Sequence, residues 1–271
     1  MSLITISRGI GCGGSIIARR VAEALNIELF DDKRLQEEAL RLGIRSEDLV
    51  SLDEKKPDLF DRILSRRPEL YLDFMEAVVY SVAKTGSGVI LGHGSQVLLR
   101  DFGCALHVHI HAHEAARMRN LTIHNGLIPE TALELIRHGD ARQRGFFQYA
   151  FQMDWKDPGL YDLIINTEQL GIDLTAKLIT EAARSEHILA CSLTAVTAME
   201  RLSLKKKIEG FLLENNINTT TLLIEVPKPG IAEVTGLVYS VEEKTRIDTV
   251  LKSIPGLTER RGSVTIMSAL A

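Results

Sequence analysis

The chain has 271 residues, 45% of them hydrophobic and 25% charged, with a formal net charge of −4 at pH 7. That length buries a full core and holds one large or two modest domains, and the net acidity excludes a general nucleic-acid binder, whose affinity for phosphates needs a basic surface. Cys12, Cys104 and Cys191 are too few and too scattered for a disulfide framework, no apolar run approaches the ~20 residues that span a bilayer, and Met1 leads straight into a strand pattern. A cytoplasmic protein with reduced thiols and no membrane insertion is expected.

The β-branched run 3–7 reads as a buried strand. It enters the loop Arg8-Gly9-Ile10-Gly11-Cys12-Gly13-Gly14-Ser15, and a helical pattern follows over 16–25. Glycines let the backbone approach an anion closely, and the next helix aims its N-terminal N–H groups at the same place. Against the G-x-x-x-x-G-K-[ST] pattern, Arg8 stands in the first Gly slot and Gly13 in the second. Gly14 takes the Lys slot, and Ser15 falls where a magnesium-binding hydroxyl belongs. The same residues fit a dinucleotide fingerprint, Gly9-x-Gly11-x-x-Gly14, with Asp31 and Asp32 closing the next apolar run. A glycine-rich turn that binds nothing is the third reading.

Residues 27–30 predict a short strand, and 31–42 a helix with its acids at the N-terminal end. Residues 46–56 read as polar and mobile, and 70–84 as an amphipathic helix. After Gly86-Ser87-Gly88, the run 89–91 reads as a buried parallel strand, with Gly92-His93-Gly94 at its end. Strand 106–113, helices 114–124 and 129–152, strand 163–166 and helix 173–183 complete an alternating pattern. This predicts a three-layer α/β domain with a parallel sheet, whose ligands gather at the C-terminal ends of the strands. A boundary is placed within 185–194. Beyond it, helix 195–215, strands 220–226 and 231–239, helix 241–254 and strand 257–267 predict a small α+β unit with a hairpin across Pro227-Lys228-Pro229-Gly230.

Arg117 and Arg119, then Arg137, Arg142 and Arg144 around Asp140, recur at helical spacing. Arg presents a planar fork suited to phosphate, although most helical Arg residues face water. In 106–113, period-two alternation places His107, His109, His111 and His113 on one face, which suits either packed imidazoles or zinc. Trp155, beside Pro158 and Tyr161, is expected to pin a loop to the core rather than stack on a base. Lys205-Lys206-Lys207 reads as a solvated helix face.

The stretch from Ile4 to Gly14, Gly92-x-Gly94, the Arg117 helix, the Arg137/Asp140/Arg142/Arg144 stretch and Asp154-Trp155-x-Asp157-Pro158 leading to Tyr161-Asp162-Leu163-Ile164-Ile165-Asn166-Thr167 occur in a telling order. Together they resemble the cytidylate-kinase-like proteins, relatives of the P-loop nucleoside monophosphate kinases, over residues 1–184. The resemblance implies a P-loop kinase fold using ATP and Mg2+, with a nucleoside monophosphate, CMP or dCMP first, as acceptor. On it, Gly9, Gly11, Gly13, Gly14 and Ser15 cradle donor phosphates and the Ser15 hydroxyl assists the metal. Arg8 replaces the missing loop Lys, and Arg117, Arg137, Arg142 and Arg144 clamp the transferring group. Asp31 or Asp32 positions the acceptor, and Asp140 belongs to the nucleotide site. His93 stands in the slot of the Arg that holds the acceptor phosphate in cytidylate kinases, a departure that weakens the case for efficient turnover. Residues 195–271 resemble a BON domain through their element order, Val234-Thr235-Gly236-Leu237-Val238 and Ile254-Pro255-Gly256-Leu257, implying a ligand- or protein-contact module. The rival readings are a nucleotide-binding regulator that signals through this second domain, and a dinucleotide-dependent enzyme.

Overall fold

The computed structural model describes residues 2–44, 68–103, 105–189 and 193–266. The expected polar segment 46–56, Cys104 and Cys191 lie outside the described residues. In chain order the elements are β1 (Leu3–Arg8), α1 (Gly14–Leu25), β2 (Leu29–Phe30), α2 (Asp32–Arg41), α3 (Pro68–Ala83), β3 (Gly88–Leu91), α4 (Ser95–Leu98), β4 (Ala105–His111), α5 (Glu114–Asn125), α6 (Pro129–Phe151), β5 (Leu163–Asn166), α7 (Thr167–Ala183) and α8 (Glu186–Leu189). There follow α9 (Leu193–Glu214), β6 (Leu222–Lys228), β7 (Ile231–Val238), α10 (Val241–Ser253), β8 (Glu259–Arg261) and β9 (Val264–Ile266). No helix among the described residues is long and apolar enough to cross a membrane.

The chain divides into two compact units, Met1–Asp31 with Thr85–Ser192, and Asp32–Lys84 with Leu193–Ala271. The later crossing lies between Ser192 and Leu193, and residues 32–84 group with the second unit.

The first unit carries a five-stranded sheet in the order β2-β3-β1-β4-β5, parallel throughout. Ile4, Ile6, Val108 and Ile110 turn to one face, where Ile17 and Val21 of α1 and Ala176 and Ile179 of α7 complete the core. The other face carries Thr5 and Ser7 of β1 beside His107 and His109 of β4, in register. Pleating alone produces this division into an apolar and a polar face, because alternate side chains point to opposite sides. β3 separates β2 from β1, so the Asp31 end of β2 lies two strands away from the glycine loop. A dinucleotide fold places the second strand beside the first, and this sheet does not.

α1 begins at Gly14, two residues earlier than the expected start, because Gly13 adopts φ 76 and ψ 7 as its N-cap. α7 begins at Thr167 rather than 173, capped by Asn166, whose side chain accepts from the Glu168 N–H at 3.0 Å. Gly171 interrupts it with φ 65, which is why a helix pattern emerges in the sequence only beyond that residue.

In the second unit β6 and β7 pair antiparallel, as expected of the hairpin. The turn is tighter than expected, centred on Pro229 and Gly230. Pro227 falls within β6 where the register shifts, a bulge that tolerates the missing N–H. The single last strand expected over 257–267 is two short strands, β8 and β9, both parallel to β7. They part at Gly262, with φ +87, where a Cβ would lie 2.6 Å from the Val234 carbonyl oxygen. Ser240 caps α10, accepting from the Glu243 N–H at 3.1 Å, while the Glu243 carboxylate accepts from the Tyr239 N–H at 3.0 Å.

The expected solvated face at Lys205–Lys207 is not what forms. Lys206 Nζ lies 3.0 Å from Asp73, 3.2 Å from Glu76 and 3.0 Å from Glu209, tying α3 to α9. Burial lifts the Asp73 carboxyl to about 6 against the pull of Lys206. Lys207 is buried, donates to the Pro255 carbonyl, and is pushed down to about 8 by burial and then by Lys84.

Candidate active site

The loop after β1 leaves the middle of the sheet at the C-terminal ends of its strands, where open α/β sheets place ligands. Gly11 and Gly13 both take left-handed conformations, φ +84 and +76. A left-handed residue next to one of ordinary hand turns successive backbone N–H groups into a concavity suited to an anion. The Ile16 and Ile17 N–H groups bond to the Gly13 carbonyl, and no side chain caps α1. The first N–H groups of the helix therefore remain for a ligand. Ser15 is exposed on this first turn.

The glycines explain one another through two arginines. A Cβ on Gly14 would sit 2.7 Å from both Cβ and Cγ of Arg8, so the Arg8 stem lies across the position from which a loop lysine would project. A Cβ on Gly9 would lie 3.1 Å from the Arg117 guanidinium, and one on Gly11 would lie 2.8 Å from the Arg117 carbonyl oxygen. Gly9 and Gly11 thus make room for Arg117 of α5.

Arg117 is 6% exposed. Its Nε donates to the Ile10 carbonyl at 2.6 Å, and its two terminal nitrogens form a fork with Asp140 at 2.8 and 2.7 Å. Burial draws the guanidinium pKa down, and Asp140 more than restores it, for a net rise. Gly139, one residue before Asp140 on α6, faces Ile10, where a Cβ would meet Ile10 Cδ1 at 2.3 Å. Helix α6 therefore lies directly against the loop.

Arg137, Arg142 and Arg144 all stand on α6. Arg137 is exposed and pairs with Glu114 at 3.2 Å. Arg144 is exposed, and Arg142 is half-buried with Nε unpartnered among the described residues. Asp31 follows β2 and is half-buried, and Asp32 is buried at the start of α2 in the second unit.

The second glycine loop belongs with the first, since Gly92 N donates to the Ile6 carbonyl at 3.0 Å. Gly92, His93 and Gly94 all have positive φ, at 84, 58 and 67. His93 is buried, and a Cβ on Gly94 would meet Phe151 at 2.4 Å.

Beneath both loops lies a polar cluster on the second face of the sheet, which residue patterns do not announce. Ser7 Oγ is 3.3 Å from Tyr161 Oη, Gln96 Nε2 donates to that phenol at 3.2 Å, and the phenol donates to the Trp155 carbonyl at 2.5 Å. Trp155 is buried, in keeping with a loop-pinning role, and its ring meets His109 edge-on at 5.3 Å. His109 stacks on Tyr161 at 4.9 Å. Burial, with His111, Lys156 and Arg117 adding to it, pushes its imidazole down to about 4, so it is neutral at pH 7. His107 Nδ1 lies 2.8 Å from Thr5 Oγ1, and burial lowers its pKa as well. These imidazoles are packed or hydrogen-bonded. Among the described residues no group of three or more His, Cys, Asp or Glu side chains is placed to hold a metal ion.

Two further side chains, Asn120 and Thr167, reach the loop. Asn120 Nδ2 donates to the Gly11 carbonyl at 2.9 Å, and Thr167 Oγ1 to that of Cys12 at 3.1 Å.

Comparison with known proteins extends this picture. A model of the cytidylate kinase-like family matches residues 3–169. The chain is 26% identical to the cytidylate kinase of Pyrobaculum islandicum over 174 residues, which cover 64% of this chain and 88% of that protein. It is 25% identical to the cytidylate kinase of Staphylothermus marinus over 183 residues, covering 67% and 96% respectively. Among solved structures, an uncharacterized protein from Eubacterium ventriosum shares the fold at a TM-score of 0.50 and 20% identity, over 69% of this chain and 100% of that one. With the matched residues running from β1 to the start of α7 and including both glycine loops, the chain belongs to the cytidylate kinase-like family.

Proposed function

We propose that this protein transfers a phosphoryl group from ATP to a nucleoside monophosphate, with CMP or dCMP the first acceptors to test, in the cytoplasm. The observation that carries the reading is the loop itself: left-handed Gly11 and Gly13 open onto an uncapped helix start at the end of the central strand. Backbone N–H groups at 11, 13, 14 and 15 would hold the donor phosphates, and Arg8 would supply the cation that the pattern lysine supplies elsewhere. Magnesium would neutralise the phosphate oxygens, with the Ser15 hydroxyl as its protein ligand. Arg142 and Arg144, on the helix that carries Asp140, are the cations left to approach the transferring group. Asp31, which follows β2 in the first unit, would orient the acceptor.

A second reading has its own observation. Gly14 in place of the lysine, and a buried His93 where cytidylate kinases carry an Arg, favour a regulator that binds nucleotide and turns over slowly. The BON-like segment of the second unit would then relay the bound state to a ligand or protein. ADP release with ATP and magnesium across a panel of nucleoside monophosphates separates the two. Acceptor-stimulated release that falls in Arg8→Ala supports the kinase, and ATP binding without it supports the regulator.

A further inference from the structure

Three consecutive carbonyls of the glycine loop each accept a hydrogen bond from a different side chain. Ile10 O takes Arg117 Nε at 2.6 Å, Gly11 O takes Asn120 Nδ2 at 2.9 Å, and Cys12 O takes Thr167 Oγ1 at 3.1 Å. A trans peptide is planar, with its C=O and the following N–H pointing in opposite directions. Fixing these three carbonyls outward therefore turns the N–H groups of Gly11, Cys12 and Gly13 the other way. The Cys12 N–H closes a turn onto the Gly9 carbonyl at 3.3 Å. Those of Gly11 and Gly13, the two left-handed residues, remain with the helix-start N–H groups to face an anion.

We propose that Arg117, Asn120 and Thr167 are positioning residues that set the peptide planes of the loop for phosphate before any ligand arrives. The inference rests on the reading that this loop binds nucleotide phosphates, and it moves Arg117 from a clamp on the transferring group to a brace behind the loop. The guanidinium is already committed at all three nitrogens, to Ile10 and to Asp140. Asn120 shares its helix one turn on, and Thr167 reaches the loop from the start of α7. A site that is pre-set in this way spends less of its binding free energy on ordering the loop, so the brace acts on affinity for the donor rather than on the chemical step.

The test uses the full chain as wild type, Thr167→Val, Thr167→Ser and Asn120→Asp, with ATP and inorganic tripolyphosphate titrated by calorimetry. Valine keeps the shape of threonine without the donor, serine keeps the donor, and the carboxylate of Asn120→Asp faces a carbonyl with nothing to donate. Thr167→Val and Asn120→Asp are each expected to weaken both ligands by roughly tenfold, with Thr167→Ser within about twofold of wild type. The KM for ATP should rise to match while the acceptor KM holds, a split that general destabilisation does not produce. Equal affinities for wild type, Thr167→Val and Asn120→Asp overturn the brace alone. A wild type that binds neither ATP nor tripolyphosphate overturns the nucleotide reading, and the brace with it.

Discussion

Removing Asp140 while keeping Arg117 tests the contact on which the loop's placement depends. The fork spans 2.7 and 2.8 Å, with the Arg117 side chain 8% exposed and that of Asp140 20% exposed. Stripping one partner from a buried pair leaves a charge without compensation, at a cost of about 3–5 kcal/mol. The partial exposure of Asp140 and the surviving bond from Arg117 Nε to Ile10 place Asp140→Ala near the lower end, at about 3 kcal/mol. For a chain of this size, that corresponds to a melting temperature roughly 6–12 °C lower. Arg117→Met alone should cost a comparable amount, since it leaves Asp140 and the Ile10 carbonyl without their donor. The double variant Arg117→Met/Asp140→Ala should recover much of the loss, because no charge is then stranded. Urea unfolding followed at the first unit gives the three free energies, and the cycle gives their coupling. A coupling energy below about 0.5 kcal/mol, the range expected of independent sites, refutes the reasoning.

Other expectations follow from the same structure. The folded pKa of His109 is about 4, below its ordinary value of 6.5, so the unfolded chain takes up the proton first and stability is lost as pH falls from about 6.5 towards 4. The shift is worth about 3 kcal/mol, and His109→Gln should flatten that acid limb in unfolding measured across this range; an unchanged limb counts against it. Lys206→Met leaves Asp73, Glu76 and Glu209 without a cation and should destabilise the second unit by about 3 kcal/mol, read by denaturant unfolding. Arg137→Ala breaks only an exposed pair and should change stability by less than about 0.5 kcal/mol in the same assay. Gly14→Lys alone should displace Arg8 and abolish ATP binding, whereas Arg8→Gly with Gly14→Lys restores the G-x-x-x-x-G-K-S pattern and should bind ATP at least as well as wild type.

What could be read from the sequence follows from how local each signal is. β1, the glycine loop and α1 are specified within about 25 residues by β-branched side chains, positive-φ glycines and an amphipathic face, so their form was legible. The same holds for the histidine strand, whose alternation predicted the division of faces. Residues 32–84 were illegible as part of the second unit, because what holds them there is remote in sequence. Phe74 of α3 meets Phe211 of α9 edge-on at 5.8 Å, and Lys206 finds two of its carboxylates, Asp73 and Glu76, more than a hundred residues away. A run of three lysines with only Glu209 close by in sequence looks solvated until Asp73 and Glu76 are placed. The roles of Arg117, Asn120 and Thr167 were hidden for a related reason. Each acts on a backbone carbonyl, which leaves no side-chain pattern to read, and the excess of Arg in the middle of the chain pointed towards phosphate rather than towards Asp140.

The central claim is that the loop from Arg8 to Ser15 holds ATP for phosphoryl transfer. Its most direct test is ADP release by the purified protein with ATP and magnesium, with and without each nucleoside monophosphate, alongside Arg8→Ala. The account predicts release stimulated by one acceptor, CMP or dCMP first, and a large fall in that rate in the variant. Release that no acceptor stimulates, or that Arg8→Ala leaves unchanged, contradicts it.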